Sequence, residues 1–503
     1  MTIFEMVTLL QQHHLLREIV DHSCWYYDVP ATVDGNQTFS DMVYDSRKVT
    51  PDSLFVCKGL NFKPSFLESA VKNGAVAYLA EQHYEVDALG IIVTDIHKAM
   101  ALVAQAFFHH PERELKIIGL TGTKGKTTTA YFIKHILDHA TQHHCALFSS
   151  NENYLDGVHG VESQLTTPES LDLYRMMRQA VDNGMTHLVM EVSSQAYKIN
   201  RVYGLTFDVG VFLNISPDHI GPIEHPTFDD YLYCKTRLFE NSRHIVLNRD
   251  SDYATLLLEK ANKQSADLFT YSTSQTDSDF TYQMVQPGSF AVKSRINPKV
   301  DGTYDIQMPA EFNCSNALAA IAATSIVGAQ SCDMKAGLAE TTVPGRMEVL
   351  TDDKRIVFVD YAHNYLSLAS IFQFIKQKYP ERRIVAVSGS TGNKAESRRQ
   401  DIGKALSEYA DVAILTTDDA AFEDPKAIMD DIQSAIVSDI EVLQIVDRVQ
   451  AVEKALSMAD ENSVVVLAGK GREQVQHMHG ENEFYEGDYQ LATKYLGIES
   501  ENK

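Results

Sequence analysis

Short apolar runs alternate with segments of helical periodicity along most of the chain, and this alternation predicts an α/β fold. In the middle of the chain the apolar runs cover 115–120, 187–192, 207–213 and 244–247. Short buried strands that alternate with helices are typical of a mainly parallel sheet. Residues 272–310 are instead polar with stretches of period two, which indicates a small antiparallel addition.

The alternation resumes beyond residue 344 and predicts a second sheet of Rossmann type. Its apolar runs cover 356–359, 384–387, 412–415 and 464–467. Each run ends in a polar turn, and in open α/β sheets ligands bind at the carboxyl ends of the strands. We therefore expect one crevice that is lined by the four turns, at 360–363, 388–390, 416–419 and 469–471.

A further unit precedes these two sheets, with a helical start and apolar runs at 54–57 and 75–79. The chain has 503 residues, which accommodates about three domains at roughly 150 residues each. We predict an N-terminal domain over 1–111, a central P-loop-type domain over 112–343 and a C-terminal Rossmann-like domain over 344–503.

The corner between the run 115–120 and the next helical segment carries the strongest chemical signal. A glycine-rich loop at such a corner points its N–H groups at phosphate oxygens, and the helix N-terminus adds partial positive charge. Lys126 can reach the β- and γ-phosphates, and the Thr127 hydroxyl can bind Mg²⁺. The loop is a variant with two residues between its glycines, and a turn that binds nothing is the alternative. The residues predicted to contact the nucleotide are Gly122, Thr123, Lys124, Gly125, Lys126, Thr127 and Thr128.

Polar residues at the ends of the next two strands extend this prediction. Glu191 closes one strand, and His219 follows another. A carboxylate beside a phosphate loop can hold Mg²⁺, and the histidine can bind a metal. The alternatives are a solvated turn glutamate and an ordinary loop histidine. Lys235 lies on an apolar helical pattern, where a lysine usually faces solvent.

Composition and charge exclude several classes of protein. Hydrophobic residues make up 44% of the chain and charged residues 22%, which is the balance of a globular protein. The net charge of −24 argues against nucleic acid or an anionic membrane surface as a partner. None of the six cysteines forms a C-x-x-C pair, so we expect isolated reduced thiols. We find neither a signal peptide nor an apolar run of about 20 residues, and we expect a cytoplasmic protein.

Seven motifs occur in a fixed order along the chain and together resemble one family. They lie at 121–128, 165–168, 191–196, 214–219, 312–316, 343–346 and 360–364. In this set the chain resembles the Mur ligases, and among them the tripeptide synthetases that add the third amino acid of the peptidoglycan stem peptide.

The resemblance implies an ATP-dependent ligase with ATP and Mg²⁺ as cofactors. Such an enzyme extends UDP-N-acetylmuramoyl-L-alanyl-D-glutamate by one amino acid through an acyl phosphate, giving ADP and phosphate. The first domain is expected to hold the uridine diphosphate, the second ATP and Mg²⁺, and the third the incoming amino acid. We expect a monomer whose partners are these small molecules.

The resemblance also assigns roles to single residues. Contacts to the UDP-linked substrate fall on Ser46, Arg47, Thr166, Thr167, Ser193 and Arg201, and a loop at 59–63 matches less closely. Further ATP contacts fall on Asn316, Arg346 and His363. Metal ligands fall on Thr127, Glu191, His219 and Lys235, the last as a carbamate, and the catalytic residues are Lys126, Lys235, Glu191 and His219.

The carbamate on Lys235 has a physical reason of its own. A primary ammonium repels Mg²⁺, whereas its adduct with CO₂ is a carboxylate that attracts the ion. Formation of the adduct requires an unprotonated amine, so we expect Lys235 to be partly desolvated.

The turn after the strand 412–415 bears on which amino acid is added. Ligases for meso-diaminopimelate carry an arginine where this chain has Ala421, and Ala420 replaces a proline that lysine-type ligases usually carry. The acids of the turn favour a terminal ammonium, so we predict L-lysine; meso-diaminopimelate or another diamino acid is the alternative. These acids are Asp418, Asp419, Glu423 and Asp424. The residues expected to contact the amino acid are Arg399, Asp418, Asp419, Ala420, Ala421, Gly469 and Glu473.

Two other functions are alternatives to this ligase. Folylpolyglutamate synthases share the phosphate loop, but the segments 191–194 and 45–47 argue against folate. A catalytically idle scaffold is the second alternative. The presence of Lys126, Glu191 and Lys235, with His219, argues against it.

Overall fold

The computed structural model describes residues 1–59, 61–218, 220–221, 224–352, 354–393 and 396–498. Three mainly parallel sheets follow one another along the chain, each with helices packed against it. In the described ranges, every helix is too short or too polar to cross a lipid bilayer. The predicted α/β fold with a mainly parallel central sheet is confirmed.

The first sheet has six strands in the order β2-β1-β6-β5-β4-β3. Its elements are α1 (Ile3–Gln12), β1 (Leu16–Asp21), β2 (Cys24–Tyr26), β3 (Met42–Val43), β4 (Ser53–Val56), α2 (Pro64–Lys72), β5 (Ala75–Ala80), β6 (Leu89–Val93) and α3 (Ile96–Phe107). Thr2 and Glu5 form a reciprocal capping box that fixes the start of α1. Asp95 accepts a hydrogen bond from the Lys98 N–H and caps α3 in the same way.

The central sheet has eleven strands in the order β10-β9-β8-β11-β7-β12-β13-β14-β15-β16-β17. Its strands are β7 (Lys116–Thr121), β8 (Cys145–Phe148), β9 (Glu152–Tyr154), β10 (Gly160–Glu162), β11 (His187–Glu191), β12 (Phe207–Phe212), β13 (Ser242–Asn248), β14 (Asp267–Ser272), β15 (Phe280–Gln286), β16 (Ser289–Ser294) and β17 (Gly302–Asp305). Its helices are α4 (Lys126–Thr141), α5 (Ser170–Asp182), α6 (Ser194–Lys198), α7 (Phe228–Thr236), α8 (Ala254–Ala261), α9 (Glu311–Ile326) and α10 (Ser331–Glu340).

The strands around β7 are parallel, and the predicted antiparallel addition is present. β7 lies between β11 and β12 and pairs with both in parallel. β15, β16 and β17 pair antiparallel and continue the same sheet through β14. The parallel part places the carboxyl ends of β7, β11 and β12 at one edge, which is where ligands bind in open α/β sheets.

The third sheet has six strands in the order β18-β19-β23-β20-β21-β22, and a separate hairpin pairs β24 with β25. Its elements are β18 (Glu348–Thr351), β19 (Ile356–Asp360), α11 (Tyr365–Lys378), β20 (Arg383–Ser388), α12 (Ser397–Tyr409), β21 (Val412–Leu415), α13 (Pro425–Ser434), β22 (Glu441–Gln444), α14 (Arg448–Ser457), β23 (Ser463–Ala468), β24 (Val475–Met478), β25 (Glu481–Phe484) and α15 (Asp488–Leu496). Strand β18 is antiparallel to β19, and the other neighbours in the sheet are parallel.

The first unit is fixed to the central one by a shared apolar core and by polar contacts. Apolar residues of α1 and α3 belong to the same buried cluster as Leu173 and Tyr174 of α5. Arg175 of α5 donates to the Asp41 carboxylate at 2.9 Å and to the Met42 carbonyl at 2.8 Å. Burial of apolar area and these partly buried contacts hold the two units in one orientation.

All six cysteines are free thiols, as predicted. Cys24 and Cys332 are exposed, and the other four are buried.

Candidate active site

The phosphate loop lies between β7 and α4, at the edge where the central strands end. Gly125 has a φ of +82°, and a Cβ placed on it would lie 2.5 Å from the side-chain oxygen of Asn316. Only glycine fits both the backbone conformation and this contact. Asn316 was predicted to contact ATP, and α9 places it directly against the loop.

A half-buried asparagine that follows the neighbouring strand fixes the shape of the loop. The Asn214 side chain accepts a hydrogen bond from the Lys124 N–H at 2.9 Å and donates to the Lys124 carbonyl at 3.0 Å. The Thr123 N–H donates to the Asn214 carbonyl at 3.1 Å. These bonds tie the loop to the end of β12 and hold it ready for a ligand.

Two lysine ammonium groups converge on one carbonyl of this loop. Lys126 Nζ donates to the Gly122 carbonyl at 2.9 Å, and Lys235 Nζ donates to the same oxygen at 2.8 Å. Lys235 is buried on α7, so its helix position faces the protein interior and not solvent. Burial lowers the pKa of both lysines, and the neighbouring Lys126 charge lowers the pKa of Lys235 further. The site therefore favours an anion and an unprotonated Lys235.

Glu191 is fully buried at the end of β11, close to the loop. Its carboxylate accepts hydrogen bonds from the Ser150 N–H at 2.9 Å and from the Ser150 hydroxyl at 3.1 Å. The same hydroxyl also lies 3.1 Å from Thr166 Oγ1. Thr127 and Thr128 are buried in the first turn of α4. His219 lies outside the described residues.

Three of the predicted substrate contacts form one hydrogen-bonded group around Thr167. The Thr167 hydroxyl donates to the Glu191 carbonyl at 3.0 Å and accepts from the Ser193 N–H at 2.9 Å. The Arg201 guanidinium donates to the Thr167 carbonyl at 3.0 Å and pairs with Glu169 at 2.7 Å. This group adjoins the first unit, because Glu169 also binds Lys58 at 2.6 Å.

Ser46 and Arg47 lie in the first unit, outside that group. Arg47 is exposed and forms an ion pair with Asp45 at 2.7 Å. In the loop 59–63, Leu60 lies outside the described residues.

Arg346 and His363 reach the site from the C-terminal side. The Arg346 guanidinium lies over the Tyr361 ring, 5.1 Å from its centroid. His363 Nδ1 donates to the Tyr361 carbonyl at 2.7 Å. Burial and the nearby Arg398 and Arg346 charges lower the pKa of His363 to about 3, so this imidazole is neutral at physiological pH.

A cavity of about 440 Å³ lies between the central and C-terminal units. All four polar turns of the third sheet contribute to its wall, as the strand-end rule predicts. Their contributions are Tyr361, His363, Ser390, Asp418, Asp419 and Gly469. The central unit contributes Ser150, Asn151 and Glu152, and Arg346 and Arg398 also line the cavity.

The acids of the 416–424 turn already have partners within the chain. Lys470 Nζ lies 2.9 Å from Asp419 and 3.8 Å from Asp418. Asp424 accepts from the Lys426 N–H and caps α13. Glu423 is 2.7 Å from Arg399, which was predicted to bind the amino acid's carboxylate. From the sequence, these acids were expected to be open to a substrate ammonium, and Lys470, in the turn 469–471, was not recognised as their partner.

Arg399 is buried, and its guanidinium also pairs with Asp431 at 2.8 Å. Ala420 is buried, and Ala421 has a φ of 51°. The Ala421 N–H donates to the His477 carbonyl at 3.0 Å, which ties the turn to the β24–β25 hairpin.

Two side-chain bridges join the central and C-terminal units beside the cavity. Lys124 Nζ donates to Asn364 Oδ1 at 2.5 Å, and Arg398 pairs with Asp218 at 3.0 Å. Burial lowers the pKa of Lys124 to about 8. Asp218 and Asn364 lie within the motifs 214–219 and 360–364, but neither bridge was predicted and Arg398 was not singled out, because a bridge between distant segments has no local pattern.

Comparisons with known proteins agree with this arrangement. A model described as the Mur ligase middle domain matches residues 120–324, and one described as the Mur ligase, glutamate ligase domain, matches 345–471. The UDP-N-acetylmuramoyl-L-alanyl-D-glutamate–L-lysine ligase of Enterococcus faecalis is 49% identical over 502 residues, covering 98% of this chain and 99% of its own.

Solved structures share the fold. A UDP-N-acetylmuramoyl-L-alanyl-D-glutamate–2,6-diaminopimelate ligase has a TM-score of 0.65 at 24% identity over 99% of both chains. The MurF ligase of Thermotoga maritima in complex with ADP has a TM-score of 0.61 at 17% identity, over 85% of this chain and 93% of that chain.

Proposed function

The chain belongs to the Mur ligase family, and we propose that it joins L-lysine to UDP-N-acetylmuramoyl-L-alanyl-D-glutamate with conversion of ATP to ADP and phosphate. One observation carries the chemistry: the side-chain nitrogens of Lys126 and Lys235 meet at the Gly122 carbonyl, beside the buried Glu191. We choose L-lysine as the added amino acid because the name of the Enterococcus faecalis relative specifies it. This chain matches that relative along nearly its whole length.

ATP is needed because a carboxylate is a poor acyl donor. Transfer of the γ-phosphoryl group to the D-glutamate side carboxylate gives an acyl phosphate, which an amine can attack. The protein's part in such a transfer is to position the reactants and to neutralise charge. Lys126, at the start of α4, neutralises the transferred group, and the N–H groups of the loop bind its oxygens. Asn316, Arg346 and His363 orient the nucleotide from the other side.

The residues at the loop fit Mg²⁺, which neutralises phosphate charge when bound. Thr127 offers a hydroxyl and Glu191 a carboxylate, and both are oxygen ligands that Mg²⁺ prefers. His219 and Lys235, the latter as a carbamate, complete the proposed set. Burial lowers the pKa of Lys235 well below that of a free lysine, which supplies the unprotonated amine that carbamate formation requires.

The position of Ala421 supports L-lysine over meso-diaminopimelate. An alanine supplies no guanidinium to bind a second carboxylate, and the cavity wall beside it carries Asp418, Asp419 and Glu473. These acids oppose a carboxylate and favour an ammonium.

The placement of the other ligands follows from the three sheets. We propose that Ser46 and Arg47 bind the uridine diphosphate and that Thr166, Thr167, Ser193 and Arg201 bind the rest of that substrate. The proposed domains are 1–111, 112–343 and 344–503, because each large sheet lies inside one of these ranges. We propose a monomer, which acts in the cytoplasm, where ATP and UDP-linked sugars are made.

A phosphate-release assay with an amino-acid panel tests the proposal. The wild-type protein receives ATP, Mg²⁺ and UDP-N-acetylmuramoyl-L-alanyl-D-glutamate, with L-lysine, meso-diaminopimelate, L-ornithine or no amino acid. We expect rapid release with L-lysine and release at background level when any component is omitted. Faster release with meso-diaminopimelate would contradict the lysine assignment, and no release with any amino acid would support a scaffold.

A further inference from the structure

Three carboxylates of the cavity meet at one buried lysine. Lys470 Nζ lies 2.6 Å from Glu473 Oε2, 2.9 Å from Asp419 Oδ1 and 3.8 Å from Asp418 Oδ1. The Lys470 side chain is 2% exposed, and that of Asp418 is 6% exposed. Asp418, Asp419 and Glu473 all line the cavity, whereas Lys470 lies behind them.

The Lys470 ammonium contacts one oxygen of Asp419 and one oxygen of Glu473, which are the two nearer carboxylates. Asp419 Oδ1 also accepts a hydrogen bond from the His477 N–H at 2.9 Å. Within the described ranges, neither Asp419 Oδ2 nor Glu473 Oε1 has a hydrogen-bond partner. Two carboxylate oxygens of these cavity-lining residues are therefore left without a partner among the described residues.

The charges of this group do not balance. Three carboxylates contribute three negative charges, and Lys470 supplies one positive charge. Burial raises the pKa of Asp418 and of Glu473, and the Lys470 charge opposes that rise. A second ammonium at the free oxygens would improve the balance, through charge-assisted hydrogen bonds.

The backbone holds Lys470 and the acids in this arrangement. Gly471 has a φ of +54°, and a Cβ placed on it would come within 2.5 Å of the Tyr361 ring. Gly469 has a φ of +114° and lies against Asp418. Gln476 of the hairpin donates to the Asp418 carbonyl at 3.1 Å. Because glycine is required on both sides, the turn directs the Lys470 side chain into the acids.

We propose that Lys470 is a positioning residue for the incoming amino acid. Its ammonium holds Asp419 and Glu473 by one oxygen each, so that their other oxygens form the binding site for an ammonium group of L-lysine. This inference rests on the proposed function, because it requires L-lysine to be the substrate.

Steady-state kinetics of Lys470→Met test the inference. The variant keeps the length of the side chain and loses its charge. Without the shared ammonium, the carboxylates of Asp419 and Glu473 repel each other and turn apart. We expect the KM for L-lysine to rise about tenfold or more, the effect of losing one charge-assisted hydrogen bond. The KM for ATP and for the UDP-linked substrate should stay within about twofold, since Lys470 pairs with none of the residues proposed to bind them.

Lys134→Met is the matched control. Lys134 is equally buried, its side chain being 5% exposed, and it pairs with Asp138 at 2.5 Å on α4. This variant should leave the KM for L-lysine unchanged, although it also removes a buried ammonium. Lys470→Arg keeps the charge in a planar group, and we expect its KM for L-lysine to rise roughly threefold.

Two results would overturn the inference. One is an unchanged KM for L-lysine in Lys470→Met; the other is an equal rise of all three KM values, which indicates a structural role. If Lys470→Met does not fold, as judged by circular dichroism, an unchanged KM in Lys470→Arg overturns it. Failure of the proposed function is separate, because then the wild-type protein itself would not use L-lysine.

Discussion

The side-chain nitrogens of three lysines at the phosphate loop have different surroundings. Lys126 contacts carbonyls of its own loop, Lys235 is enclosed by α7 and β7, and Lys124 reaches across to Asn364. Their pKa values are lowered mainly by burial. An anion that binds here therefore meets ammonium groups that have little competing solvation.

Replacement of Lys126 by alanine should nearly abolish turnover. The variant loses the charge that neutralises the transferred phosphoryl group, and we expect kcat to fall by about 10² to 10³. Phosphate release at saturating substrates measures the change. Lys116→Ala is the control, because Lys116 is exposed at the opposite end of β7. A wild-type rate in Lys126→Ala would remove the loop from the proposed site.

The pH dependence of ATP binding should report Lys124. Its pKa is lowered to about 8, so the ammonium is mostly present below pH 8 and is lost above it. We expect the KM for ATP to rise by up to about tenfold between pH 7 and pH 9, because the positive charge that attracts the phosphates disappears.

Lys124→Met is the comparison for this measurement. Its KM for ATP should already be raised at pH 7 and should change less with pH. If the KM for ATP rises equally between pH 7 and pH 9 in the wild type and in Lys124→Met, the pH dependence belongs to another group.

Residue identities at the site were predictable from the sequence only where they fall into local motifs. The run from Gly122 to Thr128 and the strand-end Glu191 are of this kind, and the structure places them together. The partners of the acids were not predictable, because Lys470 lies about 50 residues from Asp418 and Asp419 along the chain. Ionic pairs of that kind depend on the tertiary fold.

Among the elements, helices α14 and α15 are joined by a fully buried ion pair. Arg448 binds both oxygens of Asp488, at 3.0 and 2.7 Å, and both side chains are 0% exposed. Arg448 also donates to the Ala468 carbonyl at 2.9 Å, at the end of β23. The pair thus fixes two helices against the strand that leads to the Gly469 turn.

Replacement of Arg448 by methionine should destabilise the protein strongly. Asp488 would be left buried without a counter-charge, and such breaks cost about 3–5 kcal/mol. Urea unfolding followed by circular dichroism measures the loss. The exposed pair of Arg243 and Asp208 gives the control, and Arg243→Met should cost less than about 1 kcal/mol. Equal midpoints for the two variants would contradict the prediction.

Elements with continuous apolar runs were predicted well, and polar ones were missed. β7, β11, β12, β20 and β23 coincide with the predicted runs because both faces of these strands are buried. The exposed hairpin of β24 and β25 was missed, since its residues show neither an apolar run nor a clear alternation. β22 was missed for the same reason, as it is a half-exposed edge strand.

At the scale of the whole molecule, the candidate active site is assembled from units that are joined by polar bridges and by shared buried apolar clusters. Arg398 and Asp218 join the C-terminal unit to the central one, and their side chains are 15% and 16% exposed. One buried apolar cluster also runs from the central unit into the C-terminal one, and another joins the first unit to the central one. Because the cavity lies between the central and C-terminal units, we expect the C-terminal unit to be the part that moves as ligands enter and leave.

Replacement of Arg398 by alanine should favour an open arrangement. A partly buried ion pair that is worth about 1–3 kcal/mol shifts a two-state equilibrium by about fivefold or more. Small-angle X-ray scattering of the ligand-free protein should then give a larger radius of gyration than wild type. Arg383→Ala, at an exposed position of the same unit, should not change the radius. An identical radius in Arg398→Ala would show that the bridge does not hold the units together.

The distribution of thiols makes that movement measurable by fluorescence. Cys332 is exposed on the central unit and Cys24 on the first, and the chain beyond residue 344 has no cysteine. After Cys24→Ser, a Val437→Cys substitution at a site that is 89% exposed would provide a second attachment point for a maleimide dye. Energy transfer between the two dyes would then follow each catalytic cycle in single molecules, in a protein whose buried thiols need no replacement.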